Sequence, residues 1–205
     1  YLPMDLSGNY TSRRWRLMGL PVSTTGAPTI KEAWQEGGTG LTTTAAYPSG
    51  PDAYNPNPGY GTRITNGITA ANGFDAGTTA NPSIYYWDGA KWVAPTSTTS
   101  NITSATAYML FVRGDRSVPI TNQFQTTSGG ANTRMNGQIN IHTVDMPIVT
   151  GSNFLSNPYP SAIDMRSVGF GTSGTGVVST PTTTYHLWDP KLLGSNNVGG
   201  WVTFN

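Results

Sequence analysis

The strongest constraint in the chain is the run Ala107-Tyr-Met-Leu-Phe-Val-Arg113, which passes into Gly114-Asp115-Arg116-Ser117. Five apolar residues in succession, 108–112, cannot lie half-exposed by simple alternation. Their aromatic and β-branched content suits a pleated, buried surface. The run reads as a core strand covered on both faces and released into a turn at Arg113-Gly114-Asp115. Shorter alternating segments surround it in sequence and read as strands packed about that centre. The expectation is an all-β fold, a jelly-roll-like β-sandwich, with one short helix near 29–36 and a single domain over 1–205.

A chain of 205 residues can bury a substantial core as one domain. Six Trp, ten Tyr and six Phe separate it from chains too polar to fold. Only 10% of residues are charged, against roughly 25% in ordinary soluble domains. With Gly 25 and Pro 15, and Thr, Ser and Asn between the apolar runs, the surface reads as turn-rich, uncharged and extracellular. The formal net charge is +1, and Arg13, Arg14 and Arg16 are the one basic cluster, so a nucleic-acid partner is not expected. Cysteine is absent, which excludes disulfides and thiolate metal sites. No apolar stretch approaches the roughly 20 residues of a spanning helix, so no membrane insertion by a helix is expected. The chain opens Tyr1-Leu2-Pro3 without an initiator Met or a signal-peptide pattern, which reads as a mature or excised piece of something longer.

Along the chain, Trp15 and Leu17 alternate with Arg14 and Arg16, an amphipathic strand whose arginines suit a solvated face better than an anion site. Thr29 followed by Glu32 forms a capping box and Gly37 stands where a C-terminal cap belongs. The resulting helix puts Ile30, Ala33 and Trp34 inward. Glu32 and Glu36 lie one turn apart on its exposed face, so they do not flank a sugar from two sides as glycosidase carboxylates must. Residues 37–60 form a long Pro/Gly-punctuated loop, and 61–65 a short strand. Ser83-Ile-Tyr-Tyr-Trp87 and Lys91-Trp-Val-Ala94 bracket Asp88-Gly89-Ala90 as a hairpin. Gln138-Ile-Asn-Ile-His142 alternates strictly, with Ile139 and Ile141 expected inward. Residues 146–150 and 154–155 suggest two further strands, Asn157-Pro-Tyr-Pro160 a turning path, 169–184 a Gly/Ser/Thr loop, and 184–188 and 200–204 two closing strands.

Chemistry-bearing constellations are sparse, and no catalytic residue is expected. His142 and His186 are far apart in sequence and fit no metal-ligand spacing. No Cys nucleophile or Gly-x-Ser-x-Gly elbow is present, and Gly59-Tyr60-Gly61 lacks the context of a phosphate cradle. Asp75, Asp88, Asp115, Asp164 and Asp189 stand singly near turns or strand ends. Without a dense Asp-x-Asp run they read as turn formers, and no metal or cofactor is expected; Ca²⁺, an oxygen-liganded ion, is the one alternative. Arg113-Gly114-Asp115 matches an integrin-binding tripeptide but is explained by the turn that ends the strand. The candidate ligand-binding residues are Tyr85, Trp87 and Trp92, aromatics able to stack on sugar rings, although half of them must face the core if the hairpin alternates.

Several segments in order carry a resemblance. They are Trp15-Arg-Leu-Met-Gly-Leu-Pro-Val22, Ile30-Lys-Glu-Ala-Trp-Gln-Glu-Gly37, Gly59-Tyr-Gly-Thr-Arg-Ile-Thr65 and Gly73-Phe-Asp75. Tyr108-Met-Leu-Phe-Val-Arg-Gly-Asp-Arg116, Asn157-Pro-Tyr-Pro-Ser-Ala-Ile-Asp164 and Trp188-Asp-Pro190 follow. The set resembles a domain of large secreted, adhesin-like surface proteins of Bacteroidota that are exported by type IX secretion. The resemblance implies an extracellular or outer-cell-surface location and an adhesive or structural role, and it carries over no catalytic residue. In similar proteins another aromatic strand follows the segment matching 199–204; its absence here implies a sheet edge open to a strand from another chain. The expected function is a non-catalytic structural or adhesive domain, a subunit of a surface filament assembled by β-strand addition. Its partners would be its own copies or other surface proteins. The alternative is a carbohydrate-binding module with a glycan partner.

Overall fold

A computed structural model describes residues 15–23, 28–35, 61–113, 116, 135, 137–148, 151–164, 185–189, 192 and 200–204. In chain order the elements are β1 (Trp15–Met18), β2 (Val22–Ser23), α1 (Ile30–Ala33), β3 (Ile84–Trp87), β4 (Trp92–Val93), β5 (Tyr108–Phe111), β6 (Gln138–Ile139), β7 (Tyr185–Asp189) and β8 (Gly200–Phe204). Every strand pair is antiparallel, and the described fold is all-β with a single turn of helix. The largest sheet has the order β1-β5-β3-β4, while β2-β6 and β7-β8 form two-stranded sheets.

The apolar run occupies the middle of the large sheet. Phe111 N donates to Ser83 O at 2.7 Å and Trp87 N to Ala107 O at 3.0 Å, so the odd positions of β5 bond β3. Antiparallel alternation then turns the backbone groups of Tyr108 and Leu110 toward β1. Side chains alternate as well: Tyr108 and Leu110 are buried, Met109 and Phe111 half-buried. Both faces of the strand are apolar, and one is sealed far better than the other.

The sealed face carries the core. Ile84, Tyr108 and Leu110 pack with Leu20, Val22, Ile30, Ala33, Trp34, Ile64, Phe74 and Ile102. Helix α1 starts at the expected capping box: Glu32 N donates to Thr29 Oγ1 and Thr29 N to Glu32 Oε2, both at 3.1 Å. The expected 29–36 shortens to one turn, with Trp34 as its C-cap; Glu36 and Gly37 lie outside the described residues. Ile30, Ala33 and Trp34 face inward as their spacing indicates. Trp34 meets the Tyr108 ring edge-on at 5.3 Å. Burial pushes the Tyr108 phenol above its ordinary value, opposed by the hydrogen bond that Thr103 N donates to Tyr108 Oη at 3.0 Å.

Three local expectations change. Residues 61–65 form no ladder: they run fully buried, touching sheet geometry only at isolated bridges such as Thr65 with Asp75. Their donors are met individually, Thr62 N by Trp34 O, Ile64 N by Asp75 Oδ2 and Thr65 N by Ser83 Oγ, as a buried backbone requires. Around β6 the alternation is inverted. Ile139 and Ile141 are 57% and 75% exposed, and Asn140 is buried between them. Its Nδ2 donates to Pro158 O at 2.7 Å and Leu20 O at 3.3 Å, and its N to Pro21 O. A side-chain period of two makes such a flip a one-residue choice, and the amide wins because it satisfies two carbonyls. Arg16, expected on a solvated face, is half-buried and shares the core side of β1 through its pairing with Leu110; Arg13 and Arg14 lie outside the described residues.

The hairpin forms as expected, trimmed to β3 and β4. Asp88 Oδ1 accepts from Ala90 N and Lys91 N, each at 2.8 Å. These bonds, the one from Lys91 first, hold the Asp88 carboxyl below its ordinary value. Residues 146–148 and 154–155 are not strands. At 157–160 the chain turns, with Tyr159 N donating to Asn157 Oδ1. The expected loops 37–60 and 169–184 lie outside the described residues.

Candidate functional site

The less sealed face of the large sheet is the candidate site. Cross-strand partners share a face, so the registers Trp15 with Phe111, Leu17 and Tyr85 with Met109, and Trp87 with Trp92 gather these residues on one side. All seven are half-buried. Tyr85, Trp87 and Trp92 therefore stand together, and the expectation that half of them face the core is corrected. Alternation turns Ile84, Tyr86 and Val93 to the opposite, core-bearing face instead, because β3 and β4 pair Trp87 against Trp92 and Tyr86 against Val93.

The three aromatics have different surroundings. Tyr85 lies 5.7 Å from Trp15, which meets Phe111 at 5.2 Å. Trp87 and Trp92 pack edge-on at 5.5 Å, and Phe154 lies 4.6 Å and 4.8 Å from them. Their rings are thus engaged by Phe154, a residue that sequence reasoning placed on a strand without a role. The Trp87 Nε1 donor is buried and has no hydrogen-bond partner among the described residues. Arg113 sets its guanidinium over Phe111 at 5.3 Å. Gly114 and Asp115, the rest of the tripeptide, lie outside the described residues.

Strands β7 and β8 form a five-pair ribbon from Tyr185 opposite Phe204 to Asp189 opposite Gly200. One face carries Trp188, Trp201, His186 and Thr203; the other carries Leu187, Val202 and Phe204. The first face meets the body of the chain. Trp188 and Trp201 pack edge-on at 5.1 Å, Trp201 lies 5.9 Å from Phe154, and Trp188 Nε1 donates to Trp15 O at 3.0 Å. A run of aromatic rings thus passes from Trp92 and Trp87 through Phe154 to Trp201 and Trp188. The second face is open: Leu187 is 60% and Phe204 52% exposed.

His142 and His186 are both exposed, and His186 Nδ1 lies 3.1 Å from Thr203 Oγ1. No group of three or more His, Cys, Asp or Glu suited to a metal occurs among the described residues. Asp75, read from sequence as a turn residue, instead forms a fully buried ion pair with Arg116 at 2.9 Å. No helix among the described residues is long and apolar enough to cross a membrane. The chain matches no protein-family model, no curated protein and no solved structure.

Proposed function

We propose that this chain is a non-catalytic structural or adhesive domain of the outer cell surface, a jelly-roll-like β-sandwich that associates with its own copies by strand addition at the β7–β8 ribbon. The observation that carries the reading is the ribbon itself. It pairs with no other described strand and turns Leu187 and Phe204 to solvent. Isolated two-stranded ribbons are marginal in water. Unpaired edges template further strands, and an added strand brings backbone hydrogen bonds together with apolar cover. A formal net charge of +1 puts little electrostatic repulsion between copies.

The test is light scattering and electron microscopy of the chain beside a Leu187→Lys/Phe204→Lys variant. The unaltered chain is expected to form assemblies that grow with concentration. The variant is expected to associate about tenfold or more weakly, since each large apolar side chain left unburied forfeits about 1.5–3 kcal/mol. An unaltered chain that stays monomeric at its highest soluble concentration sinks the reading.

A second reading, a carbohydrate-binding module, is favoured by one observation: Tyr85 is half-buried on the same face as Trp15 and Phe111. Aromatic rings of that exposure can stack on sugars. Glycan retention is then expected and is lost in Tyr85→Ala while thermal unfolding stays cooperative. An unaltered chain that binds nothing on a glycan array counts against it.

A further inference from the structure

We infer that the β7–β8 ribbon is an exchangeable element: the seat that Trp15 and Phe154 offer it is filled by the ribbon of a second copy of this chain. The inference rests on the self-association reading above and names the segment that passes between copies.

The bonding pattern makes the ribbon a unit. Its five backbone pairs are internal, and no backbone hydrogen bond joins it to another described element. Among the described contacts it meets the body through side chains: the indole N–H of Trp188 on Trp15 O, and the Trp201 ring against Phe154. Every one of these contacts is the same whether body and ribbon belong to one chain or to two. Exchange of an identical element therefore costs little beyond chain connectivity, which is why it is a low-cost route to association.

Connectivity permits the exchange. Residues 165–184 lie between the body and the ribbon, and a segment of that length can reach roughly 65–70 Å when extended. A domain of this size has a radius of gyration of about 17 Å, so a touching neighbour is within range. The balance between own and foreign ribbon follows effective concentration, which is about millimolar for short linkers and falls as the linker lengthens. A ribbon passed always to the next copy makes a head-to-tail contact, which propagates as a filament; a reciprocal pass closes a dimer.

The absence of cysteine makes the test clean. Asn153→Cys marks the body beside Phe154, and Thr203→Cys marks the ribbon on the face of Trp201. A chain carrying both is expected to crosslink within itself through a short bismaleimide when dilute. The two single variants, unfolded together in urea and refolded as a concentrated mixture, are expected to give a crosslinked heterodimer about tenfold above that from variants refolded apart and then mixed. Trp188→Phe, which deletes the indole donor, is expected to lower the crosslink within and between chains alike.

Failure takes distinguishable forms. Assemblies whose crosslinks stay within single chains overturn the exchange and leave strand addition standing. A doubly substituted chain that does not crosslink when dilute overturns the seat itself. Monomers at every concentration overturn both the exchange and the self-association on which it rests.

Discussion

Arg116→Met is expected to destabilise the chain by about 3–5 kcal/mol, a fall in Tm of roughly 6–20 °C for a domain of this size. Asp75 and Arg116 are both 0% exposed and meet at 2.9 Å. The arginine also ties separate segments together: its Nη1 donates to Gln35 O at 3.4 Å and its backbone N to Gly61 O at 3.1 Å. Asp75 in turn accepts from Ile64 N through Oδ2 at 3.0 Å. Methionine keeps much of the side-chain volume and removes the guanidinium, so the buried carboxylate loses its 2.9 Å ion pair with Arg116. The double variant Asp75→Ala/Arg116→Met is expected to be more stable than Arg116→Met alone, because the carboxylate that lost its partner in Arg116→Met is removed as well. Urea unfolding of the three chains measures this directly. A single variant within about 1 kcal/mol of the unaltered chain would show that the pair does not hold these segments.

The pair also marks where legibility in the sequence ends. The central strand β5, the capped start of α1 and the β3–β4 hairpin were all readable, because neighbouring residues decide them. A five-residue apolar run, a Thr three residues before a Glu, and an Asp-Gly turn each act within one or two turns of chain. Asp75 and Arg116 lie 41 residues apart, and nothing near either one announces the other. Asn140 defeated alternation for the same reason: the carbonyls it satisfies belong to Leu20 and Pro158, 120 and 18 residues away. The candidate surface was half legible. Tyr85, Trp87 and Trp92 were singled out for their ring chemistry, but only the strand register shows that they share a face, and only the fold brings Phe154 and Trp201 to it. Both closing strands were readable as strands; that they pair with each other and with no other described strand was not.

Gly61→Ala should cost about 2–5 kcal/mol, and the reason separates into two parts. Gly61 has φ +67°, a left-handed conformation that penalises a Cβ by about 1–2 kcal/mol. A Cβ there would also stand 2.5 Å from Gln35 C and 2.7 Å from Trp34 O, backbone atoms that cannot rotate away, and such overpacking adds about 1–3 kcal/mol. Gly151 provides the contrast. Its φ is +107° and no atom of the described residues lies within 4 Å of the added carbon, so Gly151→Ala bears the conformational cost without that collision. Urea unfolding of both variants is expected to show Gly61→Ala as the more damaging by the contact term. Equal losses would mean that the approach of 61–62 to the end of α1 carries no weight. That approach matters because Thr62 N donates to Trp34 O and Arg116 N to Gly61 O, so pushing the segment off α1 also loosens the seat of the buried ion pair. Gly61→Ala and Arg116→Met therefore disturb one junction, and their losses should sum to less than the two taken separately. Residues with no shared partner add to within about 0.3–0.5 kcal/mol, so a larger shortfall in the double variant is the signature of that junction.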